Sequence, residues 1–347
     1  MLHVQIELTN RCNFQCKFCG IKHYRTNDDM PLDDVKRILD DIKRAKFSGG
    51  NVYMISFNGL GEPLLSPDLI EAIRYAKERF PFVGFVTNGY RLDRKMTEEL
   101  LSVGVDYISV SLNAVDANVY TEFQGYGLKD PEKAMNTVIE NVKYFLRRRD
   151  EEGLKTEVRI PYCLTKKSKE HLKEFTEYWR STGRELIIHT IRLLEFEEAG
   201  KNVHYTRCEH LTENFLVFAN GDIGFCCCNH TRAGIIGNIY KDELQTLFEG
   251  EVYKKIVADN DKGDYRNLPA ACRICENHRT EGFMGDYSMG YQFIYVNNTF
   301  KQIKWTFYSF GWRLLAELKR YRITWPVFRK LKNLVYHLEY GKAKNRN

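Results

Sequence analysis

Cys12-Asn13-Phe14-Gln15-Cys16-Lys17-Phe18-Cys19 decides how this chain is read. The spacing is C-x3-C-x2-C, and it follows an apolar-alternating run over 3–8 that reads as a strand. Three thiolates so close in sequence are soft ligands able to grip one metal centre. Structural zinc takes four protein ligands. A [4Fe–4S] cube normally takes four cysteines as well. Three on one loop therefore suggest a cube with one iron left open to a ligand that is not protein. A zinc knuckle is the competing reading.

Outward from that loop, strand-like and helix-like segments alternate as far as residue 193. The strands are expected at 3–8, 52–57, 82–86, 107–112, 156–162 and 186–193. Helices are expected at 32–46, 67–79, 94–103, 131–149 and 169–181, with Pro67 and Pro131 where helix starts tolerate proline. Six β/α repeats imply a parallel sheet with helices outside. Parity adds a lining. Val4, Ile6 and Leu8 share one face of the first strand, and His3, Gln5, Glu7 and Thr9 the other. Ile108, Val110 and Leu112 likewise oppose Tyr107, Ser109, Ser111 and Asn113. The apolar sets should meet the helices and the polar sets should line a cavity.

Marked residues gather where strands end, which is where barrels carry their sites. Asn58-Gly59-Leu60-Gly61-Glu62-Pro63 follows the second strand and Thr87-Asn88-Gly89 the third. Ser109-Val110-Ser111-Leu112-Asn113 ends the fourth. Together with the cysteine loop these resemble the radical S-adenosylmethionine (SAM) enzymes, over about residues 1–282. The resemblance implies an α/β fold, a partial (β/α)6 barrel. It also implies that Cys12, Cys16 and Cys19 hold a [4Fe–4S] cluster whose open iron is chelated by SAM. Phe18 would lie against the adenine. Gly59, Gly61, Glu62 and Pro63, a G-L-G-E-P variant of the family's G-G-E-P, would hold the SAM amino group. Asn88, Ser111 and Asn113 would contribute further SAM contacts. Arg159 on the fifth strand is expected to anchor a carboxylate of SAM or substrate, with a structural pair to Glu157 as the alternative. His189 either faces the cavity or is a satisfied core histidine. Cys163 reads as a small buried hydrophobe.

A second cysteine set follows a linker over 194–204. Cys208 and Cys226 flank an Asn220-Gly221 hairpin signal, and Cys272-Arg273-Ile274-Cys275 comes later. This resembles the SPASM/Twitch extension of the same family. No cysteine follows Cys275, and Glu281 stands where the next would fall. The shorter Twitch form, with one auxiliary [4Fe–4S] cluster on Cys208, Cys226, Cys272 and Cys275, is the expectation. Cys227 or Cys228 could replace Cys226, and a four-cysteine zinc ribbon competes. The expected domains are a barrel over 1–200, a small β-hairpin and helix module over 201–282, and a helical basic tail over 283–347.

The 347 residues are 43% hydrophobic and 28% charged, ample for a sizeable core. The first strand starts almost at Met1 and no long apolar run occurs, so a cytoplasmic protein without export signal is expected. Ten cysteines then read as metal ligands rather than disulfides. The net charge is +6, yet residues 301–347 alone carry twelve Lys/Arg against two Glu. The first 300 residues are therefore net negative, which argues against nucleic acid as a partner of the catalytic part. Trp305, Trp312 and Trp325 share that tail. It is expected either to cap the barrel or to touch the inner face of a membrane.

The resemblance implies reductive cleavage of SAM to a 5′-deoxyadenosyl radical, which abstracts a hydrogen atom from a polar substrate. The electron donor would be of flavodoxin or ferredoxin type. Oxidation or epimerisation at a carbinol carbon of a sugar or cyclitol is the first expectation, by likeness to single-cluster aminocyclitol dehydrogenases. Peptide modification is the alternative. A scaffold that uses its clusters only for electron transfer is the non-enzymatic one.

Overall fold

The structure is a computed structural model that describes residues 2–17, 19, 26–47, 50–164, 168–192, 208, 210–226, 234–263, 266–269, 272, 293–303 and 305–306. Phe18, Cys227, Cys228, Cys275 and everything from residue 307 lie outside the described residues.

The N-terminal part alternates as expected. β1 (Leu2–Ile6), α1 (Leu32–Arg44), β2 (Val52–Phe57), α2 (Leu69–Lys77), β3 (Phe82–Thr87), α3 (Arg94–Ser102) and β4 (Tyr107–Val110) come first. After them come α4 (Ala117–Phe123), α5 (Pro131–Glu151), β5 (Glu157–Leu164), α6 (Leu172–Ser181) and β6 (Leu186–Arg192). The six strands pair in parallel and in sequence order. α1 buries Val35, Ile38, Leu39 and Ile42, one helical stripe. Proline opens α5, and the Asp130 carboxylate accepts from the Lys133 amide to cap it. α2 begins two residues later than expected, because Pro67 precedes the cap position Asp68 rather than starting the helix. α4 was not expected at all.

The chain then forms α7 (His210–Glu213), β7 (Asn214–Val217), β8 (Asp222–Gly224), β9 (Ile235–Asn238), α8 (Leu244–Glu249), α9 (Glu251–Lys262) and β10 (Phe293–Val296). The expected hairpin is present: β7 and β8 are antiparallel, with Gly221 at φ +83° in the turn. The sheet runs across both expected domain boundaries. β7 pairs in parallel with β1, while β10 pairs antiparallel with β6. The order is β10-β6-β5-β4-β3-β2-β1-β7-β8-β9.

Parity holds along the barrel. Val4, Ile6, Ile55, Phe57, Ile108, Val110, Val158 and Ile160 are fully or almost fully buried in the main core. The alternate set faces inward, as the Tyr107 hydroxyl shows by donating to Ser56 Oγ at 2.5 Å. At the N-terminal ends of the strands this interior is plugged. Phe82 stacks on Tyr107 with centroids 5.4 Å apart and on Tyr53 at 6.1 Å. Tyr53 is the extra residue of a register slip, since Leu2 pairs with Val52 and His3 with Met54. Gly84 makes room: a Cβ there would stand 2.2 Å from the Tyr107 carbonyl oxygen.

Arg159 belongs to this plug. Its guanidinium lies 4.6 Å from the Tyr107 ring centroid and donates to Glu157 Oε2 at 2.6 and 3.0 Å. β5 runs to Leu164, two residues further than expected. Arg159 therefore sits about 13 Å below the level of Cys163, at roughly 3.3 Å per residue. The structure shows Arg159 paired with Glu157 at this level.

Candidate metal and cofactor site

At the opposite end of the strands, four loops are laced together. The cysteine loop leaves β1 with Phe14 buried beneath it. The Phe14 ring meets Tyr90 at 5.8 Å. Cys12, Cys16 and Cys19 are all partly exposed and form no disulfide with one another. The Cys19 amide donates to the Cys16 carbonyl at 3.0 Å, and the Lys17 amide to the Phe123 carbonyl at 3.0 Å. The Cys16 thiol points at the Gln124 carbonyl, 3.8 Å away.

The loop after β2 is pressed on the cysteine loop. A Cβ on Gly61 would stand 1.9 Å from the Thr9 carbonyl oxygen, so only glycine permits this approach. The next amide, of Glu62, donates to the Arg11 carbonyl at 2.8 Å. Pro63 begins a short 3-10 turn. The Glu62 carboxylate is turned toward protein donors. It accepts from Thr87 Oγ1 at 2.6 Å, the Asn88 amide at 2.7 Å and the Leu64 amide at 3.1 Å. Burial pushes its pKa up to about 7 despite these donors. Asn88 Nδ2 donates in turn to Asn13 Oδ1 at 2.8 Å. Glu62 and Asn88 thus tie three loops into one frame.

The loop after β4 is fixed by Gln124, a residue the sequence reading passed over. Its Nε2 donates to the Ser111 carbonyl at 2.5 Å, and its Oε1 accepts from the Asn113 amide at 2.9 Å. Asn113 Oδ1 accepts from the Cys163 amide at 2.9 Å. Cys163 is not a core hydrophobe. It is partly exposed on the inward face at the end of β5, close enough to add to the rise in the Cys16 pKa. His189, also inward, stacks on Phe293 of β10 at 4.6 Å. Burial pushes its pKa down to about 4, with Arg159 adding to the effect, so its imidazole is neutral at pH 7.

Glu7, at the end of β1, was read only as one of the polar face. It is buried, and its Oε1 accepts from the Leu60 amide at 2.6 Å. Its Oε2 accepts from the Ala219 amide at 3.1 Å. One carboxylate therefore joins the loop after β2 to the C-terminal hairpin. In the C-terminal part Cys208, Cys226 and Cys272 are buried. Asn260 brackets Cys208: Oδ1 accepts from its amide and Nδ2 donates to its carbonyl, both at 2.9 Å. Cys275, the fourth expected ligand, lies outside the described residues, as does Phe18.

The donor set suits a cluster on the first loop. The Cys16 pKa is pushed up to about 12, first by burial, then by Cys19 and Cys12. A positive metal centre reverses that penalty by stabilising the thiolate. Among the described residues no three His, Cys, Asp or Glu side chains gather as a single-ion site. A zinc ion with bonds of about 2.3 Å needs sulfurs about 3.8 Å apart. A cube gives each thiolate its own iron, so the zinc knuckle is the poorer fit.

Comparison with known proteins matches residues 6–178 to the family model described as Radical SAM superfamily. Residues 208–276 match one described as an iron-sulfur cluster-binding domain, SPASM. A tungsten-containing aldehyde ferredoxin oxidoreductase cofactor-modifying protein of Pyrococcus furiosus is 29% identical over 185 residues, 53% of this chain and 49% of that protein. A PqqA peptide cyclase of Granulibacter bethesdensis is 34% identical over 112 residues, 32% of this chain and 28% of that one. The chain thus spans half or less of the length of these relatives. Among solved structures, Streptococcus suis SuiB bound to precursor peptide SuiA superposes with a TM-score of 0.58 at 18% identity. That match covers 79% of this chain and 71% of SuiB. No helix among the described residues is long and apolar enough to cross a membrane.

Proposed function

Because the chain belongs to the radical SAM superfamily, with a SPASM domain after its barrel, we propose that it acts on a neutral polar substrate. The reaction is oxidation or epimerisation at a carbinol carbon of a sugar or cyclitol. The cofactors are SAM and two [4Fe–4S] clusters, one binding SAM and one auxiliary. SAM and the cluster that binds it would supply, when bound, the 5′-deoxyadenosyl radical that abstracts a substrate hydrogen atom.

One observation supports the substrate class: among the described residues, the charged side chains on the inward face of the strands are already committed. Glu7 is held by two backbone amides, and Glu157 and Arg159 bind each other. What remains is uncharged, including Gln5, Asn58, Ser109 and the neutral His189. Among the described residues such a lining offers hydrogen bonds to hydroxyl groups and no uncommitted charged side chain.

In this reading Cys12, Cys16 and Cys19 hold the SAM-binding cluster, and Cys208, Cys226, Cys272 and Cys275 the auxiliary one. The Gly59–Pro63 loop presents backbone to SAM, while the Glu62 carboxylate orients that loop from behind. Asn88, Ser111 and Asn113 bound the same site from β3 and β4. The plug of Tyr53, Phe82 and Tyr107 closes the far end against water, as radical chemistry requires. An electron donor of flavodoxin or ferredoxin type would reduce the cluster from outside.

Peptide modification is the second reading, favoured by relatives named as a peptide cyclase and by SuiB with its precursor peptide. Anaerobic incubation with SAM, reductant and candidate substrates in deuterium oxide separates the two. An oxidised polyol is two hydrogens lighter, and an epimer gains solvent deuterium at carbon if the returned hydrogen is exchangeable. Turnover of a peptide panel with no turnover of polyols overturns the first reading.

A further inference from the structure

We propose that the C-terminal module forms one wall of the first cluster's pocket, besides carrying a cluster of its own. The inference rests on the assignment of Cys12, Cys16 and Cys19 to a [4Fe–4S] cluster. It goes further in making residues more than 190 positions downstream responsible for that cluster's reduction.

The first observation is the sheet. β1 has β2 on one side, and β7 of the module takes the other, pairing His3 with Asn214 through Ile6 with Val217. The pairing continues past the strand end, where the Glu7 amide donates to the Val217 carbonyl at 2.8 Å. Glu7 then fixes both sides at once. One carboxylate oxygen takes the Leu60 amide and the other the Ala219 amide.

The second observation is packing. Leu60, Leu216 and Phe218 form an apolar cluster separate from the main core. Cys12 and Cys19 pack against it, with Ile235. Phe218 is fully buried. Two of the three thiol ligands thus rest on a surface to which the module contributes Leu216 and Phe218. One-electron reduction adds negative charge to a cluster already bound to thiolates. Water near the cluster stabilises that charge, and an apolar wall that excludes water disfavours it. Phe218 therefore keeps the first cluster hard to reduce and couples its potential to the seating of the module.

The test is a redox titration of the full chain, anaerobically reconstituted, followed by electron paramagnetic resonance. The signal that changes on adding SAM identifies the first cluster. In Phe218→Ser this signal should be reached more easily, by about tenfold in the reduction equilibrium, a shift of 59 mV for one electron. Phe218→Val, the milder change, shortens the side chain and lets water come nearer the thiols, so it should move the midpoint in the same direction by less. Iron content and thermal melts establish that each variant is loaded and folded. If Phe218→Ser does not fold, Phe218→Val decides. A midpoint and SAM-induced change in the folded variant equal to those of the unmodified chain overturn the wall. Absence of any SAM-sensitive signal in the unmodified chain overturns the cluster assignment, and the proposal with it.

Discussion

The two ends of the barrel are built from the same inward-facing register and do opposite things. At the N-terminal ends of the strands, three aromatic rings and one ion pair fill the interior. At the C-terminal ends the strands give way to loops, and hydrogen bonds between loops replace packing. Glu62, Asn88, Gln124 and Asn113 each bind an element other than their own. Depth along the strand, not the face a residue occupies, decides whether a polar side chain serves the structure or the site. Arg159 faces inward and lies at the level of the plug, paired with Glu157.

The contrast is broken most severely at the thiols. Replacing Cys12, Cys16 and Cys19 together by alanine should remove about half of the roughly eight irons two cubanes hold. Release of 5′-deoxyadenosine should fall to background. Iron analysis and chromatography of the anaerobic reaction check both, and retention of all the iron would refute the ligand set. A step smaller is Gln124→Ala. It leaves the buried Asn113 amide and Ser111 carbonyl without the partner they now have, at a cost of about 1–3 kcal/mol each when unsatisfied. Chemical denaturation should show a loss in that range, and KM for SAM should rise with it. A stability loss with unchanged KM would confine Gln124 to the fold. The smallest effect is expected at the plug. Arg159→Lys gives up a two-pronged bond to Glu157 and a guanidinium stacked on Tyr107. Exposed pairs and cation–π contacts of this kind contribute about 0.5–1 kcal/mol. SAM cleavage should be unaltered, and a rise in KM for SAM would return Arg159 to the site.

Much of this was legible beforehand, and the gaps have physical reasons. Period-two alternation fixed which side of each strand meets the helices, and the C-x3-C-x2-C spacing placed the cysteine loop. Asn220-Gly221 announced the hairpin because few other pairs accept its positive φ. The extension of β5 to Leu164 was not legible because strand ends are the least determined part of such a reading, and two residues along a strand displace a side chain by about 7 Å. Gln124 was passed over because α4 is short and carries no strong apolar stripe. Glu7 was seen as polar, but its partner Ala219 lies 212 positions away. No local pattern in one sequence encodes such a pairing.

That distance has a consequence for how the chain is made. β1 docks with β2 once residue 57 is available, yet its other neighbour is complete only at residue 217. At about 5–20 residues per second the ribosome needs roughly 8–32 s to supply the intervening 160 residues. Throughout that interval the nascent β1 presents unpaired amides and carbonyls along an apolar strand, the kind of edge that recruits foreign strands. Pairing across so long a loop is also intrinsically slow. A fast-elongating host should therefore yield more aggregate at high expression, and slower synthesis at lower temperature more soluble protein.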